Sequence, residues 1–287
     1  MINIFLNPLA NNKKGASVEK VLRNYFDFDE VTFRNILEVK NMKEVCSSIP
    51  DDEVIVIAGG DGTLTNFANE VYDLKLKQKI FYYPCGSGND FFNDVKDLIV
   101  IKDHLIPMNE FLKSLPKVYV NGIERYFING IGYGVDGYCC EAGDLIRETS
   151  SKKVNYRKIA LQGLMGKYKP TNAVVTVDGI SKEYKRVWMS PSMIGRFYGG
   201  GIQIAPGQNR LNAEKTLSNV VFYRAGKLKT LCVFPSAYKG KHVKHTDIIE
   251  VRTGHNITVK FDRPCALQID GETVKNVTEY SVVYGEE

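Results

Sequence analysis

Carboxylate, hydroxyl and glycine residues occur together in a short segment that could bind a phosphate. The segment Gly59-Gly60-Asp61-Gly62-Thr63 follows the apolar, β-branched strand predicted over Glu53–Ala58 and precedes a helix predicted over Leu64–Leu74. Glycines let backbone N–H groups approach an anion closely, and a helix N-terminus favours phosphate. A carboxylate repels phosphate unless a cation lies between them, so Asp61 predicts Mg²⁺. The alternative is an ordinary strand-turn-helix in which the small residues serve packing.

A second segment of the same kind follows the next predicted strand, Lys79–Pro84. In Cys85-Gly86-Ser87-Gly88-Asn89-Asp90, backbone N–H groups and the Ser87 hydroxyl can donate to phosphate or ribose oxygens. The first predicted strand, Ile2–Leu6, ends in Asn7-Pro8 with Lys13 and Lys14 beyond, which alone indicates only a turn. Open α/β sheets bind ligands at the carboxyl ends of their strands. The three segments together therefore predict a nucleotide site.

The elements that position these segments change in character along the chain. Up to residue 116 strands alternate with helices, which predicts a parallel sheet with helices on both faces. From residue 117 to 287 short strands of alternating polarity predict a mainly antiparallel β-sandwich or barrel. The predicted strands of this second part are Val118–Val120, Arg125–Asn129, Ala173–Val177, Tyr184–Ser190, Asn219–Tyr223, Asp247–Arg252, Ile257–Phe261, Ala266–Ile269 and Ser281–Tyr284.

Composition indicates an ordinary globular protein. The 287 residues are 44% hydrophobic and 25% charged, with a net charge of +5. This modest positive charge fits an anionic ligand or membrane surface and does not by itself indicate nucleic acid. No apolar run approaches the ~20 residues of a membrane-spanning helix. The N-terminus does not resemble a signal peptide, and the six cysteines lack disulfide-scaffold spacing. We therefore expect a cytoplasmic protein with reduced thiols.

A basic helical stretch, Ser151–Pro170, stands apart from both patterns. It carries six lysines and arginines and no acidic residue, interleaved with apolar side chains. One interpretation is an amphipathic element that rests transiently on anionic lipid headgroups. The other is a helix that packs its apolar side on the second domain and leaves a solvated basic side. The sequence leaves both open.

These segments, with three further ones, resemble the diacylglycerol kinase catalytic family, which includes sphingosine and ceramide kinases. The further segments are Phe127–Asp136, the glycine-rich Tyr198–Pro206 and Asp270-Gly271-Glu272, and all occur in family order across nearly the whole chain. The Gly-Gly-Asp-Gly-Thr element alone is shared with phosphofructokinases and NAD kinases. The resemblance implies a three-layer N-terminal domain of that kind, with a possible brief return of the last few residues to it.

The resemblance also implies roles for individual residues. ATP and Mg²⁺ would bind the first domain, with Asp61 acting through the metal. Glu272 would be the general base toward a lipid hydroxyl in a groove between facing domains, and Asp270 would orient it or hold the metal. From the residues alone, Asp270-Gly271 is a hairpin turn. The expected ATP-binding residues are Asn7, Gly59, Gly60, Asp61, Gly62, Thr63, Asn66, Gly86, Ser87, Gly88 and Asn89, and the expected lipid-site residues are Asp90, Asn129, Tyr133, Phe197 and Tyr198.

The chain departs from the family pattern at several positions. Ser87 replaces the usual threonine and keeps its hydroxyl. Phe92-Asn93 replaces the usual small residue and arginine. Glu214-Lys215 stands where family members carry an Asp-Gly pair near a structural Mg²⁺, and a lysine beside the carboxylate would compete with a cation. We therefore do not expect that second metal.

Three functions remain open at this point. The first is an ATP-dependent kinase acting on diacylglycerol to give phosphatidic acid, or on a sphingoid or related lipid. The second keeps the fold with a soluble acceptor, as in NAD kinases. The third is a non-catalytic sensor of nucleotide or lipid. The family resemblance also leaves a homodimer open and gives no reason to expect nucleic acid as a partner.

Overall fold

Two units make up the chain in the computed structural model, Met1–Leu115 and Pro116–Glu287. The structure describes residues 1–10, 15–25, 31–150 and 154–285. Lys13 and Lys14, and the first three residues of the basic stretch, lie outside the described residues.

The first unit contains a five-stranded sheet in the order β2-β1-β3-β4-β5. Its first four strands are parallel, and β5 is antiparallel to β4. Ile4 and Val56, which are adjacent in β1 and β3, pack with Leu22 of α1 on one face of the sheet. The elements are β1 Ile2–Leu6, α1 Gly15–Tyr25, β2 Val31–Asn35, α2 Met42–Ser48, β3 Val54–Gly59, α3 Asp61–Val71, β4 Lys79–Pro84, α4 Asp90–Val95 and β5 Ile106–Pro107. The predicted parallel α/β domain is confirmed.

Helix α3 begins three residues earlier than the sequence predicted. Gly60 is its N-cap, with an extended backbone (φ −96°, ψ −178°), and the Leu64 amide donates to the Gly60 carbonyl at 3.1 Å. Asp61 therefore lies in the first helical turn, where its negative charge suits the positive end of the helix dipole. The predicted turn over residues 61–63 was wrong, and Gly62 and Thr63 are helical as well.

The second unit is built on an antiparallel ten-stranded sheet. Its longest strand, β14, pairs with β8, β9 and β15. The elements are β6 Lys117–Val120, β7 Ile123–Tyr126, β8 Gly130–Tyr133, α5 Val135–Thr149, α6 Tyr156–Gln162, β9 Thr171–Val177, β10 Ile180–Val187, β11 Ser192–Met193, β12 Leu217–Phe222, α7 Lys227–Val233, β13 Ile249–Gly254, β14 Asn256–Ile269 and β15 Glu272–Val283. The predicted antiparallel domain is confirmed.

Several predicted boundaries in this unit were wrong. Ile257–Phe261 and Ala266–Ile269 belong to one strand, β14, whose register shifts between Lys260 and Cys265 as in a β-bulge. The sequence prediction also missed helix α5. The last described strand, β15, pairs with β14 and β6, so it belongs to the second unit. No helix among the described residues is long and apolar enough to cross a membrane.

Candidate functional site

The segments that follow β3 and β4 lie in backbone contact at the edge of the first sheet. A Cβ atom added to Gly86 would lie 2.5 Å from the Cα of Gly60, closer than real Cβ contacts allow. The Cys85 amide donates to the Gly59 carbonyl at 2.8 Å. Glycine is therefore needed at position 86 because a neighbouring backbone leaves no room for a side chain.

The Asp61 carboxylate ties the two segments together. Its oxygens accept hydrogen bonds from the backbone amides of Asp90 (3.0 Å) and Phe91 (2.9 Å), at the first turn of α4. The Asn89 side chain stabilises the same loop, because its Oδ1 accepts a hydrogen bond from the Gly86 amide at 2.9 Å. The backbone of Asn89 itself is left-handed (φ 52°). Both side chains thus fix the shape of the glycine-rich loop.

The segment after β1 joins the same edge. Asn7 donates through Nδ2 to the Thr63 hydroxyl at 2.8 Å, and the Asn7 amide donates to the Ala58 carbonyl at 2.9 Å. The Thr63 side chain in turn fills the space beside Gly59, where an added Cβ would lie 2.5 Å from the Thr63 Cβ. The structure therefore brings the three predicted segments together, and their part in binding ATP stays a prediction.

Other predicted ATP-binding residues of these segments face outward. Ser87 and Asn66 are exposed, and Gly88 is half-buried. Gly62 is exposed in the first turn of α3, and an added Cβ there would meet nothing within 4 Å. Its φ is not positive, so neither packing nor backbone conformation requires glycine at this position. No described residue fills the space beside this turn.

The donor set fits a magnesium ion that is held mainly by phosphate. Asp61 is half-buried, and a carboxylate oxygen can accept from more than one donor. Among the described residues no group of three or more histidine, cysteine, aspartate or glutamate side chains could hold a metal. Mg²⁺ commonly binds one or two carboxylates together with substrate phosphates, which is the mode that Asp61 could supply.

In the second unit, Asp270 and Gly271 form the two-residue turn between β14 and β15. Both have positive φ values (46° and 95°), as a tight hairpin of this type requires. The Asp270 carboxylate accepts from the amides of Ile128 (2.6 Å), Asn129 (2.9 Å) and Gly130 (2.9 Å). These bonds explain why the predicted strand over Arg125–Asn129 ends at Tyr126. They also make Asp270 an anchor of the turn, while its contact with a metal stays a prediction.

Glu272, the predicted general base, forms an ion pair with Arg125 of β7. The guanidinium Nη1 donates to Oε2 of Glu272, whose side chain is 47% exposed. The Nε of Arg125 is buried and has no hydrogen-bond partner among the described residues. Arg125 therefore orients the glutamate through one oxygen. The sequence prediction missed Arg125, because the two residues are 147 positions apart.

The predicted lipid-site residues differ in environment. Tyr133 is fully buried in the core, stacked on Phe261 with ring centroids 3.7 Å apart, and its hydroxyl donates to the Val277 carbonyl. Tyr198 is also buried, whereas Phe197 is half-buried beneath the Arg196 guanidinium. A role for these side chains in lining a lipid pocket stays a prediction, and the packing of Tyr133 gives it no support.

The other two predicted lipid-site residues are buried in separate units. Asp90 is 7% exposed at the start of α4 in the first unit. Asn129 is 4% exposed in the second unit, and its side-chain oxygen accepts from Nη2 of Arg210 at 3.0 Å. Nη1 of Arg210 donates to the Ile128 carbonyl at 2.5 Å. Arg210 and Asp270 thus hold residues 128–130 together, and sequence reasoning missed this use of Arg210.

Asp136, at the start of α5, is a further buried carboxyl that sequence reasoning did not single out. Its Oδ2 is inaccessible and has no hydrogen-bond partner among the described residues. Burial raises the pKa of Asp136 to about 7, and a hydrogen bond with Tyr198 offsets part of this increase. Glu214 and Lys215, by contrast, are both exposed.

Comparisons with known proteins identify similar domains in both parts of the chain. Residues 1–105 match the family profile of the diacylglycerol kinase catalytic domain, and residues 129–284 match that of the YegS C-terminal NAD kinase β-sandwich-like domain. The chain is 25% identical to "Putative lipid kinase YtlR" of Bacillus subtilis, over 93% of this chain and 91% of that protein. It is 24% identical to a B. subtilis diacylglycerol kinase, over 79% of this chain and 73% of that one.

Solved structures show the same fold. A crystal structure titled as a putative diacylglycerol kinase from Bacillus anthracis has a TM-score of 0.69 and 16% identity, and the match covers 99% of this chain and 92% of that one. At this identity the likeness establishes the fold alone.

Proposed function

Because the chain belongs to the diacylglycerol kinase catalytic family and carries a C-terminal domain of the YegS type, we propose that it is an ATP-dependent lipid kinase. The γ-phosphate of ATP would pass to a lipid hydroxyl, with diacylglycerol as the acceptor and phosphatidic acid as the product. Relatives named as diacylglycerol kinases support this acceptor. The lipid would be reached from a membrane surface.

The observation that carries the proposal is the open space at Gly62. A glycine in a helix costs about 1 kcal/mol relative to alanine, and nothing within 4 Å of an added Cβ accounts for it. Exposed Ser87 lies in the loop that contacts Gly60 through Gly86. Backbone amides at a helix start, together with an exposed hydroxyl, suit a triphosphate.

Each group has a defined part in the proposed reaction. Backbone amides near Gly60–Thr63 and Gly86–Asn89, with the Ser87 hydroxyl, bind and orient the phosphates. Asp61 would hold a magnesium ion, which would neutralise charge on the phosphate oxygens. Glu272 accepts the proton of the attacking hydroxyl through the oxygen that does not face Arg125. Arg125 keeps that carboxylate oriented, and Asp270 fixes the turn that carries it.

A sphingoid or related lipid is the alternative acceptor, and a non-catalytic sensor is the alternative from another class. One experiment separates them. The protein is incubated with labelled ATP, Mg²⁺ and a panel of lipids in mixed micelles, and the lipids are then extracted. Label in phosphatidic acid supports the proposal, and label in another lipid changes the acceptor. Label in a soluble product contradicts lipid transfer, and no transfer favours the sensor.

A matched pair of variants tests Glu272. A general base contributes roughly 10²–10⁴-fold to a rate, so Glu272→Ala and Glu272→Gln should lower kcat by about that factor while Mg-ATP binding stays within about twofold of wild type. The control is Glu279→Ala, an exposed carboxylate of the same strand that faces Lys260, which should keep full activity. A Glu272→Ala protein with wild-type kcat would remove the glutamate from the mechanism.

A further inference from the structure

We propose that one surface of the second unit docks on an anionic lipid bilayer. This surface, the basic face, consists of residues 154–170, which include α6 and the turn after it, and residues 226–244, which include α7. The proposal rests on the proposed lipid kinase function, since a lipid acceptor has to be reached at a membrane. It adds the surface that makes the contact and the side chains that enter the bilayer.

The two segments form one continuous surface. An added Cβ at Gly166, in the turn after α6, would lie 2.8 Å from the Nζ of Lys227 in α7. The Arg157 guanidinium lies 5.2 Å from the ring centroid of Tyr238, which follows α7. Residues far apart in sequence are therefore neighbours, and a planar partner could contact both segments at once.

The apolar side chains of this region divide into two sets. Ile159 and Leu164 are 5% and 2% exposed, so they hold α6 and its turn against the rest of the unit. Leu161, Met165 and Leu228 are 51%, 62% and 72% exposed. A helix that only packed on a core would bury its apolar residues on one side. The exposed set is what an interfacial helix presents to acyl chains.

The charge of the basic face selects the kind of partner. Neither segment contains an aspartate or glutamate. The same segments carry the exposed cations Arg157, Lys158, Lys167, Lys169, Lys227, Lys229, Lys239, Lys241 and Lys244, of which Lys229 is paired with Asp247 just beyond the second segment. Lysines and arginines near an anionic leaflet contribute attraction that falls with salt. The cations would contact anionic lipid headgroups, and the exposed leucine and methionine side chains would contact the acyl chains beneath them.

Two other partners fit this surface less well. A second copy of the chain related by a two-fold axis would set the same patch against itself, and cations would then face cations. A nucleic acid would satisfy the cations through its phosphates but would leave Leu161, Met165 and Leu228 without apolar contact. The bilayer accounts for both charge and apolar exposure.

Vesicle flotation without ATP tests the proposal. Vesicles of phosphatidylcholine and phosphatidylglycerol in equal amounts are compared with phosphatidylcholine alone, at low and high salt. We expect salt-sensitive binding to the anionic vesicles. At about 1 kcal/mol per lysine, which is a factor of about five, the triple variant Lys158→Gln, Lys167→Gln, Lys227→Gln should bind about 100-fold more weakly. Leu161→Ser with Met165→Ser should weaken binding at both salt concentrations.

Matched controls lie in other parts of the chain. Lys43→Gln with Lys75→Gln and Lys77→Gln removes three exposed cations of the first unit. Ile180→Ser removes an apolar side chain that is 71% exposed. Both should bind vesicles as wild type does. Equal binding by the basic-face variants, no preference for anionic vesicles, or tighter binding to duplex DNA or RNA than to vesicles would overturn the proposal.

Failure of docking and failure of the kinase proposal give different results. Glu272→Ala should float with vesicles like wild type, because Glu272 lies outside the basic face. The basic-face variants should phosphorylate lipid dispersed in detergent micelles at the wild-type rate and lose activity on vesicles. Vesicle binding by a wild-type protein that transfers no phosphate would support the docking surface and refute the kinase assignment alone.

Discussion

Exchanging single glycines in the two phosphate-site segments separates glycines that serve packing from the one that leaves room for a ligand. Gly86→Ala would place a methyl group 2.5 Å from the Gly60 Cα and 3.0 Å from the Asn89 Oδ1. Since the nearer atom belongs to the backbone, the loops have to separate, which should cost about 1–3 kcal/mol of unfolding free energy. Gly62→Ala meets nothing within 4 Å and should gain about 0.5–1 kcal/mol through helix propensity.

The effects of the two variants on Mg-ATP affinity should differ from their effects on stability. Urea unfolding measures the stability of both variants, and calorimetric titration with Mg-ATP measures affinity without knowledge of the acceptor. We expect Gly62→Ala to be folded and at least as stable as wild type, yet to bind Mg-ATP roughly tenfold or more weakly, a loss of about 1.4 kcal/mol. Wild-type affinity in Gly62→Ala would show that no phosphate lies over this turn. Wild-type stability in Gly86→Ala would refute the packing explanation.

Three further predictions concern the second unit. Asp270→Asn weakens the acceptor of three backbone amides and should cost about 3 kcal/mol in urea unfolding, and a cost near zero would contradict the anchoring role. Arg210→Lys keeps the charge but loses the planar fork, so we expect a loss of about 1–3 kcal/mol, against no change in the exposed control Arg224→Lys. The pKa of Asp136 is about 7 in the folded state against an ordinary 3.8. Between these two pH values the folded state therefore holds a proton that the unfolded state lacks, and the free energy of unfolding falls as pH rises through that window. Asp136→Asn should remove this fall and exceed wild type by up to roughly 4 kcal/mol above that window, with the difference disappearing below it. Parallel pH profiles for the two proteins would contradict this explanation.

The sequence was informative where local pattern and turn chemistry decide the structure. Strand β3 is a β-branched run that ends in glycines, and Asp270-Gly271 is a dipeptide that strongly favours a two-residue hairpin. Both occur as predicted. Helix α3 was placed too far along the chain because Gly60 and Gly62 were taken as loop residues. Asp61, whose negative charge suits the first turn of a helix, favours the earlier start.

The missed features depend on contacts between distant residues. Arg125 and Glu272 are 147 positions apart, and Arg210 reaches Ile128 across 82 positions. No local periodicity indicates such pairs, since tertiary packing alone brings the strands together. Helix α5 was missed because glycines at both ends of the segment Gly134–Gly143 weaken its helical pattern. The exposure of Leu161 and Met165 likewise depends on which side of α6 meets the rest of the unit.

The hydrogen bonds between Asp61 and two backbone amides of α4 connect the proposed metal site to the start of that helix. A metal ion bound to this carboxylate, as proposed, would compete for its electron density with the amides of Asp90 and Phe91. Those amides would then exchange more readily with solvent, so metal binding would be detectable at the start of a neighbouring helix. Deuterium uptake at these two positions would register the arrival of the cation even before any phosphate is transferred.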